Sequence, residues 1–538
     1  MSSEEKTFLL KSEGGLDTVS SAIELFETPG LAARLMNFQP TVSSGYEQVR
    51  GYQKFGTAAP GGAISAKVTS VYSYYDGAVC TKGGKIYFSQ DGNSWIQVNK
   101  NTAGAFHNAT TLAPLASLNR NTSSTEQYRF VEYHNGTNLE LLFCDTLGTN
   151  PISRLTIRGT STLEYKYENS IASEWPSSTI KYPTFIEVHN DRMVAGGFST
   201  DKTLLHYSNL FNPLDFAGGG FIDNADELIW AKGFRKNLMI FGRNKISEVI
   251  SLGNSAQQTI QDVTRNIGCI SGDSIQEVGG DLVFLAPDGI RTIAATARIG
   301  DVSLSTLSVK INPLLHEYIV NLNQYTISST VIRNRNNYRI FFHKAGELSK
   351  AQKGIGGVLR GGQGGLQWEW CEYRGLPCYS VQTSYTSAGK EVSYHASNDD
   401  FVYLHDVTDK FNGTDIPAVY QTPEISLGDS GFRKTLHAIQ LYAKSTTGYT
   451  TSIKLTYDDV ADPSRSPPGY RIEVDHTGSA YYSETNYGTA IYGRSKDPYE
   501  RVLVEGSGKT FNIKVASIGS ANYSIQGMAI TYFVNGRQ

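Results

Sequence analysis

An all-β protein organised around a β-propeller is the fold class this sequence predicts. Three observations carry that expectation. Paired runs of alternating apolar residues, joined by Gly, Asn or Asp turns, recur along most of the chain. Aromatic residues make up 11% of its 538 residues, with 32 Tyr, whereas only 18% are charged. Helical periodicity is scarce. Aromatic and β-branched side chains fit half-buried pleated surfaces, and the 53 glycines supply turns. A chain of this length exceeds one ordinary core, so about two to four domains are expected.

Residues 1–58 read as an extended arm joining a platform. Across 59–414 the same unit returns. The run 84–89 turns at Asp91-Gly92 and comes back over 95–98. Residues 128–133 turn at Asn135-Gly136 and return over 139–144. The run 185–189 turns at Asn190-Asp191 into 192–195, and 238–241 turns at Arg243-Asn244 into 246–250. Residues 281–285 turn at Pro287-Asp288-Gly289 into 290–293, and further strands fall at 337–342 and 401–404. Asn-Gly and Asp-Gly supply the positive φ that tight hairpins need. Recurrence every 40 to 60 residues, roughly, predicts about six propeller blades, with a sandwich of the same hairpins as the rival arrangement. Residues 352–365 are so rich in Gly that a loop is expected. After 415 the pattern changes to strands at 438–442, 453–457, 511–515 and 523–532, with a polar loop over 458–469. Residues 415–538 therefore read as a separate β-sandwich. The best helix candidate is 307–322, with Pro313 interrupting its first half.

The formal net charge is −3 and no Lys/Arg run stands out. Proteins that grip DNA phosphates usually carry a basic excess, so duplex DNA would pass by this chain without being held. The five cysteines show no C-x-x-C pairing and read as buried free thiols of a chain made in a reducing cytoplasm. Cys371 and Cys378 would bind a metal only with histidines from elsewhere. Residues 1–12 lack the apolar core of a signal peptide, and no apolar run is long enough to span a bilayer, so no membrane insertion is expected.

Chemistry-bearing motifs are few. Ser89-Gln90-Asp91-Gly92-Asn93-Ser94-Trp95 resembles the Asp box of sialidase-like propellers, in which the Asp bonds turn N–H groups and the aromatic packs between blades. Gly428-Asp429-Ser430-Gly431 matches part of a serine-protease nucleophile motif, but Phe432 follows and no His-bearing partner motif precedes it, so a turn is expected. Gly506-Ser507-Gly508-Lys509-Thr510 ends like a phosphate-binding loop. Leu503 stands where that loop needs Gly, and both flanks read as strands. No cofactor, metal site or catalytic constellation is expected, and the chain reads as a non-enzyme.

Three stretches carry a family resemblance. The first is Gly14-Gly15-Leu16, Asn37-Phe38 and Ser44-Gly45-Tyr46-Glu47-Gln48-Val49-Arg50-Gly51-Tyr52-Gln53-Lys54-Phe55. The second is 262–293, with Ile267-Gly268-Cys269, Val278-Gly279-Gly280 and the hairpin through Asp288-Gly289. The third is 525–532. In this order they resemble the nozzle, or tail tubular protein B, family of short-tailed bacteriophages, related to packaged-DNA stabilisation tail proteins. Ser44 and Glu47 depart from that pattern, where Gly and a basic residue are usual.

The resemblance implies a structural protein of the virion tail, assembled in the host cytoplasm. It would form a ring, hexameric in expectation, below the head–tail adaptor, line the DNA exit channel, help retain the genome and support tail fibres or spikes. It also makes Asn37, Phe38, Tyr46, Arg50, Tyr52 and Phe55 candidate contacts of an assembly arm. Gly354, Gly356, Gly357, Gly361, Gly362, Gly364 and Gly365 become a candidate channel gate. The alternative is a receptor- or glycan-binding phage propeller, possible as a glycan-cleaving enzyme if two carboxylates stand at the required separation.

Overall fold

The computed structural model describes residues 5–62, 66–98, 106–108, 126–159, 163–254, 256–294, 306–362, 365–445, 448–458, 467–474, 499–519 and 522–535. Its core feature is a β-propeller. Six blades have four or more antiparallel strands, in agreement with the expected count, and a three-stranded sheet over Gln276–Val278, Asp281–Ala286 and Gly289–Thr292 stands between two of them. The hairpins fall where turn chemistry placed them. Tyr128–His134 pairs with Leu139–Asp145, and Phe185–His189 pairs with Arg192–Gly196 through Asn190 and Asp191, both at positive φ. These are the φ values that a two-residue hairpin loop demands.

A blade is covered on both faces by its neighbours, so its middle strands are apolar without alternation. Gly77–Lys82 and Asn237–Gly242 are buried nearly throughout. Separate apolar clusters lie between successive blades. Tyr74, Val79 and Phe88 of the first blade pack on Leu141, Phe143 and Leu155 of the second. Leu142 and Cys144 then meet Ile186 and Met193 of the third. Phe185 and Val194 meet Leu238 and Ile240 of the fourth. The ring closes between Ser380–Tyr385 and the first blade, where Ser380 Oγ accepts from Val71 N–H at 3.3 Å and Gln382 Oε1 from Ser73 N–H at 3.0 Å.

The arm expected over 1–58 is woven into the body. Gly51–Lys54 pairs antiparallel with Val402–Thr408 and completes the blade begun at Ser380, so this piece of the arm belongs to the propeller. Gly51 allows that approach, because a Cβ there would lie 1.8 Å from the Lys410 carbonyl oxygen. Arg34–Met36 sits between Gly365–Arg374 and Val419–Gln421. It thereby extends the blade of Tyr325–Ile332 into one nine-stranded sheet that runs on through Phe511–Ile518, Tyr449–Tyr457 and Tyr470–Val474. A second sheet is built on Tyr523–Val534, flanked by Lys434–Ser445, Glu5–Lys11 and Tyr46–Gln48. The two sheets share one core, in which Tyr449 stacks on Tyr523 at 4.6 Å. Residues 459–466 of the expected polar loop lie outside the described residues.

Two local expectations need correction. The helix covers Asn312–Val320, and Pro313 opens it without interrupting it; a proline is tolerated in the first turn, where its missing N–H costs no hydrogen bond. The glycine-rich segment is a hairpin of two ten-residue strands, Lys353–Gly362 and Gly365–Arg374.

Candidate functional site

The first strands of all the blades, with the three-stranded sheet, surround one cavity of about 530 Å³ on the propeller axis. Its charged lining residues come in both signs: Arg129, Lys232 and Arg333 against Glu187, Asp273 and Glu277. Arg129 donates to both Asp273 oxygens, at 2.9 and 2.5 Å, and to the Thr184 carbonyl at 2.7 Å. Its guanidinium also lies 4.8 Å over the Trp230 ring, and Phe185 stacks on the same indole at 5.5 Å. Lys232 Nζ donates to both Glu187 oxygens, at 3.1 and 2.9 Å. Asp273 and Glu187 are thus held by cations, and Trp230 is packed against protein. Beside the cavity, burial pushes the Glu132 carboxyl above the usual carboxylate range. Glycosidase chemistry needs one carboxylic acid free to protonate a leaving group and a second carboxylate opposite it; of the three lining carboxylates, Glu187 and Asp273 are held by cations and Glu277 is exposed.

The candidate gate residues do not lie on this axis. Gly354, Gly356, Gly357, Gly361, Gly362 and Gly365 belong to outer strands of their blade, and Gly364 lies outside the described residues. A Cβ on Gly356 would meet the Tyr373 hydroxyl at 2.2 Å, and one on Gly357 would meet the Trp370 ring at 2.5 Å. The glycines are flat ground beneath aromatic rings on the neighbouring strand, which corrects the expected loop.

The candidate arm residues are internal joints. Asn37 stands at φ 53° where the chain passes from one platform sheet to the other. Its side chain donates to the Arg374 and Pro417 carbonyls, both at 2.9 Å, and accepts from Arg374 N–H at 2.9 Å. Asn tolerates this left-handed conformation better than most residues. Phe38 packs edge-on to Tyr523, and the Tyr46 hydroxyl donates to the Gly30 carbonyl. Tyr52 stacks on Phe411, and Phe55 sits between Trp95 and Tyr394. Only Arg50 of the six is exposed. The other five are buried against partners within the chain.

The remaining motifs sit in hydrogen-bonded turns. Asp91 Oδ1 accepts from Asn93 and Ser94 N–H at 2.9 and 3.1 Å, and Trp95 Nε1 donates to the Ala58 carbonyl. Asp429 Oδ1 accepts from Gly431 N–H in a tight turn. Lys509 and Thr510 give their N–H groups to Asp458, which takes the place a phosphate would need.

A cluster the sequence reading did not assemble lies at the propeller's last blade. The donor atoms of Cys378, His395 and His405 fall within 4.8 Å of one another, and all three residues are buried. His395 pairs with Tyr403 across a hairpin, so His405, two residues on, lies on the same face. That register was the one available signal. His405 Nε2 faces Arg339 Nη1 at 2.8 Å, and its Nδ1 faces His395 Nδ1 at 3.3 Å. Burial and the Arg339 charge hold His405 down to about 3, and burial also keeps His395 neutral and pushes the Cys378 thiol up. Arg339 continues the network to Asp406 at 3.3 Å and to Gln39 at 3.1 Å, and Arg335 bridges Asp406 to Glu47. Arm, propeller and platform meet here. Cys371 is not part of the cluster; its thiol faces Tyr373 and Gly356.

These features define a β-propeller protein with a fused platform. No protein-family model matches the chain, and no curated protein does. Among solved structures it is similar to an exo-β-1,3-galactanase from Phanerochaete chrysosporium, at 9% identity over 89% of this chain and 100% of that one, with a TM-score of 0.26. It is also similar to the Pan2 WD40 domain of Neurospora crassa, at 8% identity over 67% and 97%, with a TM-score of 0.35. PorZ of Porphyromonas gingivalis matches at 12% identity over 78% and 46%, with a TM-score of 0.31. Superpositions this loose carry no functional argument.

Proposed function

We propose that this chain is a structural subunit of a short-tailed phage tail, a nozzle protein that assembles into a ring around the path of exiting DNA. The observation that carries the reading is the continuous nine-stranded sheet that welds propeller to platform through Arg34–Met36. A ring subunit joined head to tail needs two unlike surfaces held at a fixed angle, and a shared sheet fixes that angle. The three stretches that resemble nozzle proteins support it. They hold the Asn37 corner and the blade-completing strand Gly51–Lys54, the hairpin Asp281–Ala286 with Gly289–Thr292, and the middle of the strand Tyr523–Val534 on which the second platform sheet is built. The near-balanced charge suits a passage that DNA must leave quickly. On this reading the protein is not an enzyme, and its partners are its own copies, the adaptor above it and the fibres beside it.

Light scattering on the purified chain, alone and mixed with adaptor rings, tests the proposal, with negative-stain images of any large species. A closed ring of about six copies, with a central hole wide enough for duplex DNA, is the expected result. A monomer that ignores adaptor rings and instead binds on a glycan array would overturn it in favour of receptor binding.

A further inference from the structure

The argument for the Cys378, His395 and His405 cluster is independent of the assembly role. We propose that these three side chains form a closed site for one thiophilic d10 metal ion, copper(I) or zinc(II). The donor set is one thiolate and two imidazoles, the combination that selects soft and borderline metals over calcium or magnesium. The nitrogen pair fits: two nitrogens about 2.0 Å from a common metal, at roughly 110° to each other, stand about 3.3 Å apart. His395 Nδ1 and His405 Nδ1 are separated by 3.3 Å. His395 offers Nδ1 to the site, while its Nε2 is a buried ring nitrogen with no hydrogen-bond partner. Its position is fixed by Tyr403, stacked at 5.1 Å, and by Tyr52, edge-on at 4.8 Å.

Enclosure argues for a site without bound water. Cys378 is 1% exposed, His395 0% and His405 2%. Three protein donors and no solvent suit copper(I), which accepts low coordination, better than zinc, whose structural sites almost always have four ligands. Charge points the same way. Copper(I) with a thiolate is neutral, whereas zinc with a thiolate leaves one positive charge beside the buried Arg339 guanidinium, and buried net charge is costly.

Loading is a proton exchange without electron transfer. The Cys378 S–H bond breaks and its proton leaves to solvent as the sulfur–metal bond forms. His405 now carries its proton on Nδ1, because Arg339 can only donate to Nε2. That proton moves to Nε2 as Nδ1 takes the metal. Arg339 gives up its contact with Nε2 and keeps Asp406 Oδ1, already 3.3 Å from two of its guanidinium nitrogens, as acceptor.

The test is the full-length chain expressed in copper- or zinc-supplemented medium, purified by gel filtration and analysed for metal. About one equivalent per chain is expected, copper retained in preference to zinc. Cys378→Ser should lose the metal, and Cys371→Ser should keep it. X-ray absorption of the loaded protein should show one sulfur and two nitrogen neighbours, a readout that stands even if the Cys378 variant misfolds. Folded wild-type protein with less than about a tenth of an equivalent of either metal overturns the site. So does equal retention by a folded Cys378→Ser chain. Zinc retained over copper, with a fourth ligand in its spectrum, overturns the copper arm.

Discussion

Buried histidines set how this protein meets acid. His206 is enclosed by Trp175 and Phe198 near Lys181, and burial first, then that charge, hold it down to about 4. His343 packs edge-on to Tyr379, and burial holds it down to about 4 as well. Both folded values lie below the unfolded value, so between them the unfolded chain binds more protons. The stabilisation is whole above about pH 6.5 and is lost as pH falls toward 4, at about 1.4 kcal/mol per pH unit for each ring. Thermal melts from pH 7.5 down to 4.5 should show that slope, and His206→Gln should make it shallower. An unchanged slope in the folded variant would refute the assignment to His206. None of this was legible in the sequence, where ten scattered histidines carry no spacing signal. Asn37 was noticed as part of a motif, but its corner conformation depends on Arg374 and Pro417, partners more than 330 residues away.

At the scale of elements, the hairpins were legible because a turn is a local event: Asn190-Asp191 and Asn135-Gly136 state their geometry in two residues. The Gly-rich strand Lys353–Gly362 was not, because clustered glycine ordinarily marks a loop. What makes it a strand is the ring-bearing partner beside it, in which Trp368, Trp370 and Cys371–Tyr373 face it across the ladder. Gly356→Val should destabilise the chain by about 2–3 kcal/mol, because the new side chain overlaps the Tyr373 hydroxyl. Gly361→Val, with open space around its Cβ, should stay within about 0.5 kcal/mol. Urea titration of the two variants separates them; equal midpoints would show that the rings give way freely.

For the molecule as a whole, the boundaries drawn at 58 and 415 follow changes in sequence character, but hydrogen bonding crosses both. Arg34–Met36 lies between a propeller blade and the platform, and Gly51–Lys54 completes a blade from the far end. Pairings across more than 300 residues leave no trace in local pattern, so the number of hairpins could be read while their closure could not. Because the two bodies share one sheet and one apolar cluster, they should unfold together. Calorimetry should give a single endotherm with equal calorimetric and van't Hoff enthalpies. Two resolved transitions would mean that the shared sheet is not a mechanical weld.

Among the described residues, the strand Glu5–Lys11 pairs with Tyr523–Val534. On a ribosome, the opening segment therefore leaves the exit tunnel long before its place in the sheet exists. Leu10 and Phe38, both buried in the finished fold, must wait in solvent or on a chaperone until the strand Tyr523–Val534 is made. A product released before that strand is made is left with an unmated sheet edge. The topology thus ties the burial of residues 5–11 to the synthesis of a strand more than 500 residues further on.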